Sequence, residues 1–264
     1  MCPSSTRRGF LLAAAGALAS TLPPSARSTA APQDRLVIVN ADDLGKSAEI
    51  DRGILEAHDR GIVTSASLLV EGASAEAAVE QVRRRPRLGL GIHVAFDTRI
   101  KRWLDAKDMD AIQREIDRQL DRFVAMTSGP PDHIDSHHHV HRLFNVSARF
   151  LDAGRRYRVP VRGFGEVVFL GQFWAQPELG KTDLSRVGVE ALTGLLRSLG
   201  PGVFEISCHP GYAEARPELA YNREREVELR TLTDPRIPAL MTEEGIRLIN
   251  YRDYARVRSA RVRS

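Results

Sequence analysis

Cysteine is scarce in this sequence, and the body of the chain contains no long apolar run free of charges. Only two of the 264 residues are cysteines, and one of them, Cys2, lies at the extreme N-terminus. If the N-terminal segment is removed, Cys208 is left alone, which excludes an intrachain disulfide. A retained membrane span is not predicted, because a span needs about 20 consecutive apolar residues. The sequence also lacks an internal repeat.

A glycine-rich phosphate loop and a strong excess of basic residues are missing as well. After the first predicted strand the chain reads Asp42-Asp43-Leu44-Gly45, which is not a nucleotide-binding turn. The formal net charge of +4 falls to +1 without the first 30 residues, which hold three arginines and no acidic residue. A nucleic-acid partner is therefore not predicted. The arginine-rich tail over 252–263 is interpreted as a solvated helix end.

The N-terminal segment has the features of an export signal. Arg7 and Arg8 precede an alanine-rich apolar stretch, and small residues follow up to Ala30. A paired arginine before an apolar core is typical of twin-arginine signal peptides. We therefore predict a signal peptide over residues 1–30, a single domain over 31–264 and a periplasmic location. An uncleaved N-terminal anchor and a misassigned start codon are the alternatives.

Strand-like apolar runs alternate with helical patterns along the rest of the chain. Such alternation predicts a parallel sheet covered by helices, in the α/β class. We favour an irregular, TIM-like (β/α) barrel of seven or eight parallel strands in one domain over a doubly wound open sheet. The predicted strands cover residues 35–40, 64–70, 88–93, 133–136, 160–162, 203–208 and 246–250; the predicted helices cover 47–58, 74–84, 108–126, 146–157, 186–199 and 222–232, with a helical turn or loop at 242–245.

The most unusual stretch is residues 133–141, which contain five histidines and one aspartate. Imidazole is a common ligand of divalent metals and titrates near neutral pH. If the stretch continues as a strand, His137, His139 and His141 share one side. A metal site, a proton-transfer site or both are then predicted there. A surface polyhistidine tract or an expression tag is the alternative, although a tag stands at a terminus.

Five residues with metal-binding or acid–base side chains follow directly after predicted strands. In a parallel barrel the carboxyl ends of all strands open on one face, where the active sites of such barrels lie. We therefore expect the five side chains to meet at one rim of the fold. The residues are Asp42, Asp43, His93, His137 and His209.

Three of these residues have the composition of a catalytic metal site. Asp43, His93 and His137 would form a two-histidine, one-carboxylate site with open coordination positions. Asp42 could take a proton, because pairing and burial push the pKa values of adjacent carboxylates apart. The two aspartates could instead belong to a helix cap or turn, and a lone His93 would be a structural histidine.

Four further residues are given supporting or competing roles. Asp135 could orient a ligand histidine or simply be a turn aspartate. His209 could act as a general acid on a turn made rigid by proline and glycine, with Cys208 as a rival nucleophile. Arg162 could hold a carboxylate in its charged form or lie on the surface.

Five motifs, in this order, resemble those of the YdjC-like (ChbG/HpnK) carbohydrate deacetylase family. The resemblance covers residues 35–254, and the five motifs together make it specific although each alone would be weak. The motifs are Asn40-Ala41-Asp42-Asp43-Leu44-Gly45, Gly61-Ile62-Val63-Thr64-Ser65, Gly89-Leu90-Gly91-Ile92-His93, the histidine-rich stretch over 133–141, and Cys208-His209-Pro210-Gly211-Tyr212.

The resemblance implies a distorted (β/α) barrel that removes acetyl groups from N-acetylated sugars, typically chitooligosaccharides. It implies a divalent metal, Mg²⁺ or Zn²⁺, held by Asp43, His93 and His137. It also implies that Asp42 is the general base and His209 the general acid.

The chain departs from the family pattern in and beside the motifs. Leu44 stands where the family usually has Phe, and Asp51 where it often has Asn. After His93 the chain reads Val94-Ala95-Phe96-Asp97 instead of Leu/Phe-x-Leu-Thr, and the segment before the next predicted helix is short. These differences affect the expected substrate more than the chemistry, because this segment would help to form the sugar cleft.

From the sequence we predict a metal-dependent deacetylase whose partner is an N-acetylated sugar. Arg162 would keep Asp42 ionised, and His139 or His141 would contact the substrate. The alternatives are another metal-dependent hydrolase, acting on phosphate or another ester, and a non-catalytic periplasmic protein that binds metal or sugar. The sequence does not determine the metal, the sugar length or the oligomeric state, for which a homodimer stays open.

Overall fold

A parallel β-sheet of seven strands lies at the centre of the part of the chain that the structure describes. The computed structural model describes residues 34–178, 180–215 and 221–263, so the predicted signal peptide lies outside the described residues. Every ladder among the described strands is parallel, as the strand–helix alternation predicts. The strands are β1 (Arg35–Leu44), β2 (Ser65–Leu68), β3 (Gly89–Val94), β4 (Ile134–Ser136), β5 (Val167–Leu170), β6 (Gly202–Cys208) and β7 (Ile246–Leu248).

Nine α-helices accompany these strands within the same described ranges. They include all six helices predicted from apolar spacing, with ends that differ by at most three residues. None of the nine is long and apolar enough to cross a membrane. The helices are α1 (Ala48–Asp59), α2 (Ala75–Arg83), α3 (Arg99–Asp105), α4 (Met109–Thr127), α5 (Ser147–Tyr157), α6 (Val189–Arg197), α7 (Arg223–Leu232), α8 (Arg236–Glu243) and α9 (Tyr251–Arg263).

The sequence pattern does not predict α3, α8 or β5, each for a different reason. Helix α3 has only seven residues, and its apolar side chains, Ile100, Trp103 and Leu104, are only partly buried, so its apolar stripe is too short to detect. Helix α8 contains Pro238, which usually ends a helix but stands here in the first turn, where its missing N–H is not needed. Strand β5 has only four residues and half-exposed side chains, which leaves little periodicity.

Strand β1 is central in the sheet, whose order is β4-β3-β2-β1-β6-β5. Strand β6 pairs along one edge of β1, while β2 and β7 share the other edge. Neighbouring residues of a strand face opposite sides of the sheet. Leu36 and Ile38 therefore pack on the inner side of the half-barrel with Tyr251 and Tyr254. Val37 packs on the other side, in the larger core beneath the helices. The C-terminal helix α9, predicted as solvated, thus contributes two buried tyrosines to the inner core.

The sheet curves but does not close, so the prediction of a closed barrel of seven or eight strands is wrong. On one edge β4 continues only into a single bridge between Ile134 and Val161, and on the other edge β5 pairs with β6 alone. No ladder within the described residues joins the two edges. Pro160, which cannot donate an N–H, and Gly163 and Gly165 with positive φ interrupt the chain between them. The result is a half-barrel.

The turn between β1 and α1 brings the end of β1 to the rim of the half-barrel. Gly45 has a φ of 88°, and a Cβ at this position would lie 3.0 Å from Ala75 Cα, so only glycine fits well. Asp51, in the first turn of α1, accepts hydrogen bonds from the Gly45 N–H (2.6 Å) and the Ser74 hydroxyl (2.5 Å). Asp51 therefore fixes the turn that follows the aspartate pair.

Asp51→Asn is expected to stabilise the protein by about 2 kcal/mol more at pH 8 than at pH 4.5. Burial raises the pKa of Asp51 to about 6, whereas the unfolded chain releases this proton near pH 4. The favourable contribution of the protonated form is therefore present below about pH 4 and lost as the pH rises to about 6. Asparagine carries no charge and still accepts the Gly45 N–H.

Chemical denaturation of D51N and the wild type at the two pH values measures this effect. Glu76→Gln is the matched control, because Glu76 is exposed on the neighbouring helix α2 and should change stability by less than about 0.5 kcal/mol. If D51N changes stability equally at both pH values, the ionisation of Asp51 is not the cause.

Candidate active site

The five residues expected to meet do lie together, at the carboxyl ends of neighbouring strands. Asp42 and Asp43 belong to the end of β1, His93 to β3, and His137 and His209 follow β4 and β6 directly. The His93 Nε2 lies 3.7 Å from the Asp43 Oδ1, and the His209 Nε2 lies 3.8 Å from the Asp42 Oδ2. The rim of the half-barrel is therefore the candidate active site.

Two adjacent aspartates both serve this rim because the backbone of β1 changes conformation there. In a regular strand Asp42 and Asp43 would face opposite sides. Asp43 has a φ of 73°, in the left-handed region that non-glycine residues rarely adopt, and the register of β1 on β2 shifts between Ala41 and Leu44. Such a conformation costs about 1–3 kcal/mol and is concentrated at functional sites.

Asp43, His93 and His137 form a cluster that fits a divalent cation. Their ligand atoms all lie within 4.8 Å of one another, and the His137 Nδ1 is 3.2 Å from the Asp43 Oδ1. Two ligand atoms at about 2.1 Å from one ion are typically about 3–4 Å apart. The buried Asp43 Oδ1 makes no hydrogen bond, which is costly for a carboxylate oxygen unless a cation binds it.

The second oxygen of Asp43 is held by cationic side chains. Arg225 donates to the Asp43 Oδ2, and the Lys46 Nζ lies 3.2 Å from the same oxygen. Burial raises the pKa of Asp43, but nearby cationic groups, led by Arg225, lower it by more, so it is well below its usual value. Asp43 is therefore ionised at neutral pH and offers one free oxygen.

Asp135 orients the ring of His93. The His93 Nδ1 donates to the Asp135 Oδ1 (2.7 Å), and its Nε2 faces the Asp43 Oδ1. Ser67 donates to the other oxygen of Asp135 (2.6 Å). A carboxylate behind a ligand histidine fixes its tautomer and increases its basicity, which is the role predicted for Asp135.

Asp42 is held by the buried guanidinium of Arg162. The Arg162 Nη1 donates to the Asp42 Oδ2 (2.7 Å) and its Nη2 to Oδ1 (2.6 Å), and the Asn40 amide adds a bond of 2.8 Å to Oδ1. Burial raises the pKa of Asp42, but neighbouring cationic groups, Arg162 first and His93 next, together lower it by more, so the net shift is downward. Asp42 is therefore ionised at neutral pH.

Arg162 joins three strands across the open side of the sheet. Besides Asp42 on β1, its Nη2 lies 2.7 Å from the Asp135 Oδ2 on β4, and its Nε donates to the Glu205 Oε1 on β6 at 2.7 Å. The Tyr251 hydroxyl donates to the second oxygen of Glu205. Burial raises the pKa of Glu205, and Arg162 offsets this only in part. Arg162, predicted to hold one carboxylate, therefore contacts three.

His209 stands beside Asp42 against an aromatic wall. Trp174 and Tyr221 stack with ring centroids 3.8 Å apart, and the His209 ring meets them edge-on at 4.8 Å and 5.5 Å. Burial lowers the pKa of His209 to about 3 despite the carboxylates of Asp42 and Asp43. The imidazole is therefore neutral at pH 7 before a proton is delivered to it. The rival nucleophile Cys208 is fully buried.

The histidine-rich stretch does not continue as a strand, so the predicted alternation of its side chains is wrong. Strand β4 ends at Ser136, and a 3₁₀ segment follows over His137–Arg142. His138 and His139 adopt left-handed conformations, with φ of 55° and 53°. The backbone therefore turns inside the stretch, and the histidines point in different directions.

His139 and His141 are not members of the metal cluster. The His139 ring packs edge-on against Phe169 at 5.3 Å. His141 is fully buried, its Nδ1 is 2.8 Å from the Ser136 Oγ, and its ring packs against Phe150. Burial lowers the pKa of His139 to about 4 and that of His141 to about 3. Of the two predicted substrate contacts, only His139 is partly exposed.

The sequence analysis missed Arg225 and Glu228, which α7 brings to the site. Glu228 accepts the backbone N–H of His209 and the hydroxyl of Tyr221, and burial raises the pKa of Glu228 to about 8. Helix α7 looks solvated because most of its residues are charged. One signal in the sequence could have revealed them. Helix α7 has so few apolar residues that it cannot pack on the sheet without burying some of its charged side chains.

The fold and the site together define the class of protein. It is an α/β half-barrel hydrolase whose site lies at the carboxyl ends of the strands. The model of the family described as YdjC-like protein matches residues 36–243, and the chain belongs to this family. The family predicted from the five sequence motifs is thereby confirmed.

Relatives in this family share most of their length with the chain. A carbohydrate deacetylase from Geobacillus stearothermophilus is 34% identical over 251 residues, which cover 83% of this chain and 98% of the relative. Another carbohydrate deacetylase, from Clostridium beijerinckii, is 28% identical over 251 residues, and the match covers 82% of this chain and 99% of that relative. A solved structure from Enterococcus faecalis, named a cellobiose-phosphate cleavage protein, is 26% identical with a TM-score of 0.70, covering 84% of this chain and 99% of that structure.

Proposed function

We propose that this protein is a metal-dependent deacetylase that hydrolyses the acetamide of an N-acetylated, chitooligosaccharide-like sugar to an amine and acetate. Family membership and two relatives named carbohydrate deacetylases support the deacetylase class. The observation that carries the metal is the buried Asp43 Oδ1, which has no hydrogen bond and faces two imidazole nitrogens. A cation bound to this oxygen would offset its desolvation, as Arg225 and Lys46 do for the other oxygen.

Asp43, His93 and His137 would hold the metal, Mg²⁺ or Zn²⁺. When bound, the cation would polarise the acetamide carbonyl and lower the pKa of the attacking water. Imidazole ligands suit Zn²⁺ better than Mg²⁺, which prefers oxygen ligands. The three side chains leave further coordination positions for substrate and water, as catalytic sites do.

Asp42 would take the proton of the attacking water as the water oxygen adds to the carbonyl carbon. Arg162 and Asn40 hold the carboxylate in one orientation, and Arg162 keeps it ionised before the proton arrives. The C–N bond then breaks when the nitrogen receives a proton. The His209 Nε2, 3.8 Å from the Asp42 Oδ2, would carry that proton to the leaving amine.

The deciding experiment is acetate release from a panel of N-acetylated mono- and oligosaccharides. We expect acetate and primary amine in equal amounts, loss of activity after chelation, and recovery when one divalent metal is added back. Full activity in protein shown to be metal-free would contradict the role of the metal. Absence of acetate from every sugar, with metal present, would contradict the deacetylase.

A second candidate is a hydrolase that uses the same cluster on a phosphate ester. The observation that favours it is the likeness to the protein named a cellobiose-phosphate cleavage protein, with 26% identity. Product analysis separates the two candidates, because this one releases inorganic phosphate and neither acetate nor amine.

We also propose that the protein is exported to the periplasm by the twin-arginine route. The support is the paired Arg7-Arg8 before an apolar alanine-rich stretch. Cell fractionation together with the mass of the mature protein tests this proposal. A mature chain that still begins at Met1 would contradict cleavage.

A further inference from the structure

Helix α7 contacts both halves of the site with two side chains one turn apart. Arg225 and Glu228 are three residues apart and therefore lie on the same face of the helix. Both side chains are buried, with 4% and 0% of their surface exposed. Buried polar and charged groups need partners, and the partners of these two are the metal carboxylate Asp43 and the loop of His209.

Arg225 occupies one oxygen of the metal carboxylate and leaves the other one free. It donates through Nη2 to the Asp43 Oδ2, whereas the Asp43 Oδ1 faces His93 and His137 without a hydrogen bond. The carboxylate can therefore offer a cation a single oxygen. The Arg225 Nη1 also donates to the backbone carbonyl of His209 at 3.4 Å, so one guanidinium contacts both halves of the site.

Glu228 supports the backbone of His209 and the wall beside its ring. One of its oxygens accepts the His209 N–H, and the other accepts the Tyr221 hydroxyl. Tyr221 stacks flat on Trp174, with 2° between the ring planes, and both rings contact the His209 imidazole. Glu228 therefore fixes the loop and the wall that together set the direction of the imidazole.

The turn after His209 has little room to move away from α7. A Cβ on Gly211 would lie 3.1 Å from the Arg225 Cδ, and a Cβ on Gly53 of α1 would lie 2.4 Å from the Gly211 Cα. The Gly211 N–H donates to the Arg225 carbonyl at 3.3 Å. The turn is clamped between α1 and α7, so the position of α7 determines that of His209.

We propose that α7 couples the metal half of the site to the proton-transfer half, with Arg225 and Glu228 as positioning residues. Arg225 holds Asp43 as a one-oxygen ligand and weakens its negative charge, which keeps a bound cation strongly Lewis-acidic. Glu228 holds the His209 Nε2 toward Asp42. The kinetic consequences rest on the proposed deacetylase function, whereas the consequences for metal affinity and for the His209 amide do not.

Arg225→Met is expected to bind Zn²⁺ about tenfold more tightly and to turn over at least about tenfold more slowly. Removing the buried one of the two cationic groups beside Asp43, with Lys46 still 3.2 Å from Oδ2, strengthens the attraction of Asp43 for the metal, but the metal then withdraws less charge from the substrate. Competition with a chromogenic chelator measures affinity, and acetate release measures kcat and KM. Arg230→Met, on the exposed side of the same helix, is the matched control and should change neither.

Any result for R225M other than tighter binding with slower turnover overturns the assignment of Arg225. A purely structural role would weaken binding and turnover together. If R225M does not fold, Arg225→Lys decides, because lysine keeps the charge beside Asp43. A Zn²⁺ affinity of R225K within about threefold of the wild type then supports the proposal, and any larger loss overturns it.

Glu228→Leu is expected to lower kcat at least about tenfold without changing Zn²⁺ affinity, because only the His209 side loses support. Amide hydrogen exchange of His209 should become at least about tenfold faster. Glu228→Gln keeps an acceptor for this N–H and should retain slow exchange and most of the activity. Wild-type exchange and turnover in E228L would overturn the assignment of Glu228.

The same measurements separate a failure of this inference from a failure of the proposed function. If the wild type releases no acetate from any sugar, the deacetylase proposal fails. Zn²⁺ affinity in R225M and amide exchange in E228L then still support or overturn the coupling through α7, because neither depends on the identity of the substrate.

Discussion

His137→Ala is expected to remove metal binding and acetate release together. The His137 Nδ1 lies 3.2 Å from the Asp43 Oδ1, and without this imidazole the cluster retains only Asp43 and His93. Catalytic zinc sites use three protein ligands, so we expect affinity to fall by at least about a hundredfold. We expect kcat/KM to fall by more than about a thousandfold, because the metal supplies much of the barrier reduction. Isothermal titration and acetate release measure the two effects.

His138→Ala is the matched control for this substitution. His138 is the next residue along the chain, its ring contacts that of His137, but it is exposed and lies outside the metal cluster. H138A should therefore retain metal binding and activity. Because His137 is 28% exposed, H137A should also remain folded, with stability within about 1 kcal/mol of the wild type. An undiminished rate in folded H137A would remove His137 from the metal site.

Most of the site could be predicted because its side chains stand where buried strands end. The strands are short apolar runs, and a polar residue at the end of such a run cannot be explained by packing in the core. Parallel strands bring their carboxyl ends to one rim, so His93 and His209, more than 100 residues apart in sequence, could be expected to meet. This expectation needs only the positions of the strand ends and no knowledge of side-chain conformations.

The direction of individual side chains could not be predicted, because it depends on backbone conformations that tertiary contacts impose. Asp43, His138 and His139 all have positive φ, which no local propensity of aspartate or histidine requires. The left-handed Asp43 turns its carboxylate to the rim beside Asp42. The two left-handed histidines break the alternation that would have aligned His141 with His137.

Edge pairing and buried charge were the other features that the sequence does not determine. Closure of the sheet would need a ladder of hydrogen bonds between the β4 edge, near Val161, and β5. The described part of the chain forms only a single bridge at Val161 and then turns at glycines, so no such ladder forms there. The charges of α7 look solvated because a charged helix is usually exposed. Arg225 and Glu228 are buried only because Asp43 and the His209 loop supply partners from distant parts of the chain.

Arg162→Met is expected to destabilise the metal-free protein by about 3–5 kcal/mol, the largest effect on folding among these substitutions. Arg162 is 1% exposed, and its guanidinium contacts carboxylates of three strands at 2.6–2.7 Å. Methionine fills part of the volume but leaves Asp42, Asp135 and Glu205 without a cation. Since a domain is typically stable by only about 5–15 kcal/mol, this loss should be plain in urea denaturation.

The destabilisation is expected to be larger at pH 8 than at pH 5. In the wild type, burial raises the pKa values of Asp42 and Asp135, but neighbouring cationic groups, led by Arg162, together lower them by more. The stability from these ion pairs is therefore present above about pH 4 and lost as the pH falls further. Without Arg162, burial leaves both folded-state pKa values above those of the unfolded chain. Protonation then relieves the cost as the pH falls through the raised values.

Arg155→Met is the matched control, because Arg155 forms an exposed ion pair with Asp152, in which the side chains are 70% and 54% exposed. We expect R155M to change stability by less than about 1 kcal/mol. R162M should also lose deacetylation, since Asp42 would then hold a proton of its own at neutral pH. If R162M were as stable as the wild type at pH 8, the carboxylates would already be protonated in the folded protein. Asp42 could then not accept a proton from water, so a stability measurement on this arginine tests the proposed chemistry without any substrate.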